Sequence, residues 1–325
     1  MAGNPLMVLT LAAVLVAIPR TSGAQMAFDQ LSARALGMGG AFVAVADDAT
    51  AGHWNPAGFV GGPPVGLTIG WDEFHFRDHE GAPRAGAGRQ RAKTVALGAW
   101  PIGISLTRWS VAGIAANADG SLVAEAVRAT QVGVSVLQTV MDGVVVGGTV
   151  KFLRGTPSIA AAGSLPADEL LDSALAQPGR ATGAVDFDLG IMVGSDRIRA
   201  GLTLKNLRRP AFTTIGEKPI ALERRVRIGL AAFPRDGVTL AIDVDLDTAD
   251  PLVGLRRTIA LGGEAPLGAH LAVRGGIRWQ RGGGAQPIGA LGGSVRLRQA
   301  LWLDGYATHG RSGDRGFGLA MRVGS

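Results

Sequence analysis

The chain has 325 residues, among them 50 glycines and no cysteine, and a formal net charge of +6 at pH 7. The lack of cysteine excludes a small disulfide scaffold, and the length suits two ordinary domains or one large β-structure. Only Lys93, Lys151, Lys205 and Lys218 are lysines, the arginines are scattered among Asp and Glu, and no basic run interleaves with aromatics, so no nucleic-acid partner is indicated.

Residues 1–24 come first in chain order. An apolar run from Leu6 to Ile18 is followed by Ser22-Gly23-Ala24 and Gln25, which reads as an export signal and is too short for a comfortable membrane helix. No later apolar stretch reaches about 18 residues, so no spanning helix is expected. The next stretch, RALGMGGAFVAVADDATAGHWNPAG (34–58), is glycine-rich and nearly uncharged apart from Asp47 and Asp48. Gly37-Met38-Gly39-Gly40 could pass for a phosphate loop, but that motif needs a preceding strand and a following helix. Glycines that let a backbone pack closely against its surroundings are the better reading. WDEFHFRDHE (71–80) then collects Asp72, Glu73, His75, Asp78, His79 and Glu80. His75 and His79 would share a face only on a helix, and the segment reads as the top of a strand and a solvated loop, so no metal is assigned to it.

Beyond residue 60 the dominant period is two. TLAIDVDLD (239–247) puts Leu240, Ile242, Val244 and Leu246 on one face and Thr239, Ala241, Asp243, Asp245 and Asp247 on the other. RIRAGLTLKNL (197–207) sets Ile198, Ala200, Leu202 and Leu204 opposite Arg197, Arg199, Thr203 and Lys205, and RVRIGLAAF (225–233) and RGFGLAMRV (315–323) repeat the pattern. Such strands need apolar surroundings on one side and water on the other. Asp243, Asp245, Asp247 and Asp250 do not make a calcium loop, since the required Gly and the final Glu are missing.

About fourteen such segments are predicted: 64–72, 92–99, 101–110, 127–139, 143–153, 184–194, 197–206, 225–233, 237–246, 256–264, 269–279, 287–297, 301–309 and 316–323. Connections after even-numbered segments are tight: 100–101, 141–143, 195–196, 234–237, 266–268 and 298–299. Those after odd-numbered segments are mostly longer: 73–91, 111–126, 154–183, 207–224, 247–255, 280–286 and 310–315. Within the longest, LPADELLDSALAQ (165–177) predicts a short surface helix. The alternation of short and long connections is that of an outer-membrane barrel, closed because strands in lipid cannot leave edge groups unpaired. The fold class predicted is therefore all-β, an antiparallel transmembrane β-barrel of about 14 strands spanning 63–325, with 25–62 as an N-terminal plug. Asp243, Asp245, Asp247, Arg197, Arg199, Arg225 and Arg227 are expected to line a wet lumen. Trp71, Trp100, Trp109, Trp279, Trp302 and Tyr306 fall near strand ends, where interfacial aromatics belong.

The stretch SARALGMGGAFVAVADDATAGHWNPAG (32–58) resembles the N-terminal signature of FadL-like outer-membrane proteins, most of all the PorV/PorQ-like and TraF-like branch. GLTLKNL (201–207) followed by Pro210, and RRVRIGLA (224–231) leading into LAIDVDL (240–246), carry the likeness further. It implies a hatch inside the barrel, with Asn55, Pro56, Ala57 and Gly58 as its gating or ligand element and Gly37, Gly39, Gly40, Asp47 and Asp48 packing it. It also implies a bacterial outer-membrane location and either of two roles. FadL-type members pass long-chain fatty acids or other hydrophobic molecules inward, whereas PorV-type members serve as outer-membrane partners of a secretion system. The expected partners are thus outer-membrane lipid together with a hydrophobic solute or a secretion-system protein.

No nucleophile elbow, HExxH or kinase-like set occurs, so no enzyme activity and no cofactor are assigned. A soluble β-sandwich would also show one-sided apolar strands.

Overall fold

In the computed structural model, which describes residues 30–76, 87–116, 121–161, 165–212, 220–246, 257–281, 287–311 and 313–324, fourteen antiparallel strands close into a barrel. They are β1 (Val65–Phe76), β2 (Gly88–Ala99), β3 (Ile102–Ala116), β4 (Leu122–Met141), β5 (Val144–Ala161), β6 (Thr182–Gly194), β7 (Ile198–Lys205), β10 (Arg225–Arg235), β11 (Val238–Asp245), β12 (Arg257–Leu267), β13 (Leu271–Arg281), β14 (Pro287–Arg298), β15 (Leu301–Gly310) and β16 (Arg315–Gly324). Each pairs with its neighbours in sequence, and β1 closes the ring on β16 from Gly66↔Gly324 to His75↔Arg315. Two short strands, β8 (Ala211–Phe212) and β9 (Ile220–Ala221), form a separate ribbon between β7 and β10.

Polarity is inverted relative to a soluble sheet. On β11, Thr239, Asp243 and Asp245 are buried, while Leu240 and Ile242 are 56 % and 38 % exposed. Exposed Ile104, Leu230, Leu261 and Leu291 continue the apolar outer face round the ring. An apolar exterior over a polar, buried interior is the arrangement of a strand set surrounded by lipid, and it excludes a soluble sandwich.

Every barrel strand overlaps a segment that the alternation predicts; β1 and β2 run about four residues further, and β3, β4 and β5 run further still. For the last three the reason is α3 (Ala167–Ala176), which lies on the outer face of these strands beyond their predicted ends. Leu170, Leu171 and Ala174 cover Ala112, Ile114, Ala124, Ala126 and Ala160, so both faces of the sheet are apolar there and the period-two signal vanishes. Arg89 fastens the helix through Asp168 (3.1 Å) and Asp172 (2.6 Å), and the Ser158 hydroxyl donates to the Ala174 carbonyl (2.7 Å). The turns predicted at 234–237 and 266–268 are displaced because β10 continues through a bulge to Arg235 and β12 continues to Leu267.

Two aromatics are corrected: Trp109 and Tyr306 face inward and are buried, whereas Trp71 and Trp100 stand on the outside or in a turn. Alternation within each strand decides this, and position near a strand end does not.

The inner wall is tight against residues 30–62. A Cβ on Gly276 would lie 2.3 Å from the Met38 carbonyl carbon, and one on Gly262 would lie 2.1 Å from the Met38 oxygen. Gly276→Val is therefore expected to leave the barrel assembled and displace the N-terminal segment. Heat-modifiable gel migration should be unchanged while protease cleavage within 30–62 increases.

Candidate functional site

Residues 30–62 hold only short elements: α1 (Ala33–Gly37), α2 (Ala51–Trp54) and a 3-10 turn over Pro56–Gly61. Helices of four to six residues have no independent stability. They are held by the surrounding strands, and almost every residue from Gln30 to Phe59 is buried. Contacts reach inward-facing positions on β1, β4, β5, β6 and β13–β16.

The segment's polar groups meet partners from the wall. One Asp243 carboxylate oxygen accepts from the backbone N–H groups of Phe42 (2.8 Å) and Val43 (2.9 Å). The Thr203 hydroxyl donates to the Trp54 carbonyl (2.9 Å), Thr149 donates to Gly52 (3.2 Å), and Asp72 accepts from the Ser32 N–H (3.1 Å). Arg34 joins Glu264 (2.8 Å) to Asp47, with Asp48 at 3.6 Å. Arg274 extends this network from Glu264 to Asp304 (3.3 Å), which Arg322 also engages (3.1 Å). Asp48 in turn accepts from the N–H and the hydroxyl of Thr50 (2.8 and 2.5 Å).

Asn55 sits at the junction. Its amide donates to the carbonyls of Val43 (3.0 Å) and Ile191 (3.1 Å), and its side-chain oxygen accepts from the Ala57 N–H (3.1 Å). Pro56 starts the 3-10 turn, and Asn55 and Pro56 abut Gly190 of β6, where a Cβ would meet Asn55 Oδ1 at 2.1 Å. Ala57 and Gly58 are buried, and a Cβ on Gly58 would strike the Ala46 carbonyl at 2.2 Å. Gly37 faces Gly292 on the wall, and Gly39 and Gly40 adopt positive φ angles of 68° and 86°.

The expected lumen charges need correction. Asp243 and Asp245 face inward and are buried, Asp243 engaged by the segment and Asp245 by Arg225 (3.2 Å) and Arg227, and Asp245 with both arginines borders a cavity of only 20 Å³. Arg199 lies over the Phe233 ring (4.3 Å), and Arg197 is exposed in the turn before β7. Asp247 lies outside the described residues, as do Asp78, His79 and Glu80 and residues 25–29 of the predicted plug. The remaining members of the 71–80 cluster divide between two faces. Asp72 points inward to Ser32, whereas Glu73 pairs on the outside with His75 (2.9 Å) and Arg91 (3.1 Å).

Two groupings escape sequence reasoning. Lys151 is buried between Asp186 (2.8 Å) and Asp188 (2.7 Å) and donates to Asn206 (2.7 Å). Beside it His53 of α2 accepts from Lys205 (3.3 Å) and stacks at 5.8 Å from Trp109. Burial and the nearby cations Lys205, Lys151, Arg227 and Arg225 push the His53 imidazole well below the ordinary histidine range. The second grouping is apolar: Leu31, Ala92, Trp109, Val111, Val127, Ala129, Leu153, Phe212 and Leu222 form one cluster against the inner wall of β2–β5. Leu31 comes from the N-terminal segment, and Phe212 and Leu222 come from the chain between β7 and β10, which turns inward at Asn206 and Arg209 with positive φ. Between segment and wall are cavities of 10 and 20 Å³, each with room for about one water.

With that geometry in view, the likenesses are informative about fold. The CymD monoaromatic hydrocarbon channel is 10 % identical over 92 % of this chain and 99 % of its own, with a TM-score of 0.64. A FadL homologue from Pseudomonas aeruginosa is 11 % identical over 90 % and 98 % (TM-score 0.61), and the toluene transporter TbuX of Ralstonia pickettii is 12 % identical over 91 % and 98 % (0.60). Residues 87–245 match the family model described as F plasmid transfer operon, TraF, protein. No curated protein matches the sequence. The class defined by the fold is an outer-membrane-type barrel of fourteen antiparallel strands. Its fold is similar to that of the CymD channel and of the Pseudomonas aeruginosa FadL homologue.

Asn55→Ala removes three buried hydrogen bonds and is expected to destabilise the segment's docking by about 2–4 kcal/mol. Hydrogen exchange at residues 41–60 should rise while exchange in the strands stays unchanged. A pH effect follows from His53. An imidazole buried in its neutral form takes up a proton more readily once released, so its contribution is complete above the ordinary histidine pKa and is lost as pH falls below it. Protease cleavage within 30–62 should increase below about pH 6.5, and His53→Gln should flatten that part of the profile.

Proposed function

We propose that the chain mediates passage of hydrophobic small molecules across the bacterial outer membrane, with residues 25–62 acting as a plug. The observation that carries this reading is the apolar cluster on the inner wall of β2–β5. Lumen faces of water-filled barrels are polar. Here Trp109, Val111, Val127 and Leu153 turn apolar surface inward, roofed by Phe212 and Leu222. A packed apolar lining of that kind favours a solute without charge once the plug moves, and the plug meets it through Leu31 and the His53–Trp109 contact. Asn55, Pro56, Ala57 and Gly58 form the joint between plug and wall, so release at Asn55 would be the gating step. The relatives of known structure described as hydrocarbon or toluene channels support the same class of solute.

A second reading is a non-transporting outer-membrane component of a protein secretion or envelope assembly, PorV-like or TraF-like in kind. The family-model match over 87–245 and the small size of the two cavities between segment and wall, 10 and 20 Å³ among the described residues, support it.

Whole cells and liposomes offered toluene, a long-chain fatty acid and a small sugar separate the two. Uptake of a hydrophobic compound but not of the sugar is expected. Leu153→Asn, which sets an amide in the apolar cluster, should lower that uptake by at least about threefold with the barrel still assembled. No uptake of any of the three, with a secretion protein co-purifying, would establish the second reading instead.

A further inference from the structure

The outer wall of β1–β5 carries an arrangement of charge that neither the plug nor the inner apolar cluster uses. Lys93 of β2 is directly opposite Arg108 of β3, and the same cross-strand row continues through Thr130 of β4 to Arg154 of β5. All three cations are exposed and face outward. The row immediately on the periplasmic side is wholly apolar: Ile69, Val95, Leu106, Val132 and Phe152, between 38 % and 54 % exposed. Like charges directly opposite on a sheet repel each other, and they persist where an anion or water compensates them. Other cations of this face have protein partners, since Arg89 engages Asp168 and Asp172 and Arg91 engages Glu73. Among the described residues, neither Lys93 nor Arg108 has a carboxylate partner.

A groove of 750 Å³ lies against this pair, bounded by Ile69, Trp71, Val95, Leu106, Leu319 and Met321. Trp71 is level with Lys93 across β1 and β2 and stacks edge-on against Phe317 at 5.3 Å. The groove is on the outside of an unbroken wall, because β1 pairs continuously with both β2 and β16 along these positions. It is therefore no entrance to the lumen. Following the same row the other way, through Leu319, Gly305, Gly293 and Val273, meets no charge. The cations belong to one sector of the barrel.

From these features we infer that the β1–β3 groove is a binding site for a phosphorylated acyl lipid of the outer leaflet. The chains lie over Ile69, Val95 and Leu106, and the anionic phosphate rests between Lys93 and Arg108. Arginine offers a planar fork to phosphate and lysine a mobile point charge, and both reach toward the headgroup layer from an apolar stem. The occupant relieves the Lys93–Arg108 repulsion, which gives the lipid a preference for this sector of the wall over the remainder of the apolar belt. The inference requires that the barrel sit in a membrane and is independent of solute passage.

The test uses the full barrel in detergent, titrated with phosphatidic acid bearing brominated acyl chains, with diacylglycerol bearing the same chains, and with the brominated fatty acid. Trp71 emission, isolated by subtracting the Trp71→Phe protein, is the readout. Phosphatidic acid should quench at a mole fraction at least about tenfold lower than diacylglycerol does, and Lys93→Gln/Arg108→Gln should abolish that difference. Equal quenching by the two lipids in the unsubstituted protein would overturn the site. Quenching by the fatty acid at or below the phosphatidic acid concentration would overturn it too, and would mark the groove as a place for a carboxylate solute. The lipid comparison on the unsubstituted protein decides the matter even if the double variant fails to assemble.

Discussion

Backbone hydrogen-bond closure is the constraint on which everything else in this molecule rests. A strand surrounded by lipid has no water for its N–H and C=O groups, so the sheet must return to its own first strand. The β1–β16 pairing does this from Gly66 to His75. Once closed, the ring has one face for lipid and one for itself, and the period-two alternation assigns every side chain to one or the other. A ring of fourteen strands is too wide for its own side chains to fill. The interior therefore needs another occupant, and residues 30–62 occupy it with elements too short to stand alone.

The fit between segment and wall is made by complementary deficits. The segment has free backbone donors at Phe42 and Val43, and the wall presents Asp243; the wall has Glu264 between Arg274 and the segment's Arg34. Removing either side would leave a buried charge or amide unpaired, which costs far more than the pair contributes. Small wall residues at Gly190, Gly262 and Gly276 permit the approach. The same logic governs the outside at α3, where Arg89 would be stranded without Asp168 and Asp172.

The architecture was legible because lipid and lumen impose opposite demands on alternate residues. TLAIDVDLD shows both in nine letters, and the short-long rhythm of connections supplied the topology. What the alternation could not show was partnership. Asp243 and Asp245 read as charges facing water, since nothing local marks an aspartate as the acceptor for N–H groups 200 residues earlier. Lys151 with Asp186 and Asp188 was hidden for the same reason, although the inward parity of all three was readable. Arg197 was misplaced because a strand was extended one residue too far into its turn. The true lengths of β3, β4 and β5 were masked by α3, which makes an outward face apolar outside the lipid belt. In the candidate site, Asn55 is singled out in the sequence by family likeness alone; its three hydrogen bonds are visible only in three dimensions.

The inward turn after β7 brings two side chains into the apolar cluster on one support. Phe212 belongs to β8 and Leu222 directly follows β9, and these two strands are tied by their own pairing. Phe212 also fills the space left by Gly155, where a Cβ would lie 2.3 Å from its ring. The two side chains are therefore carried by one paired ribbon. A change that breaks the Ala211↔Ala221 or Phe212↔Ile220 pairing therefore acts on two members of the apolar cluster at once.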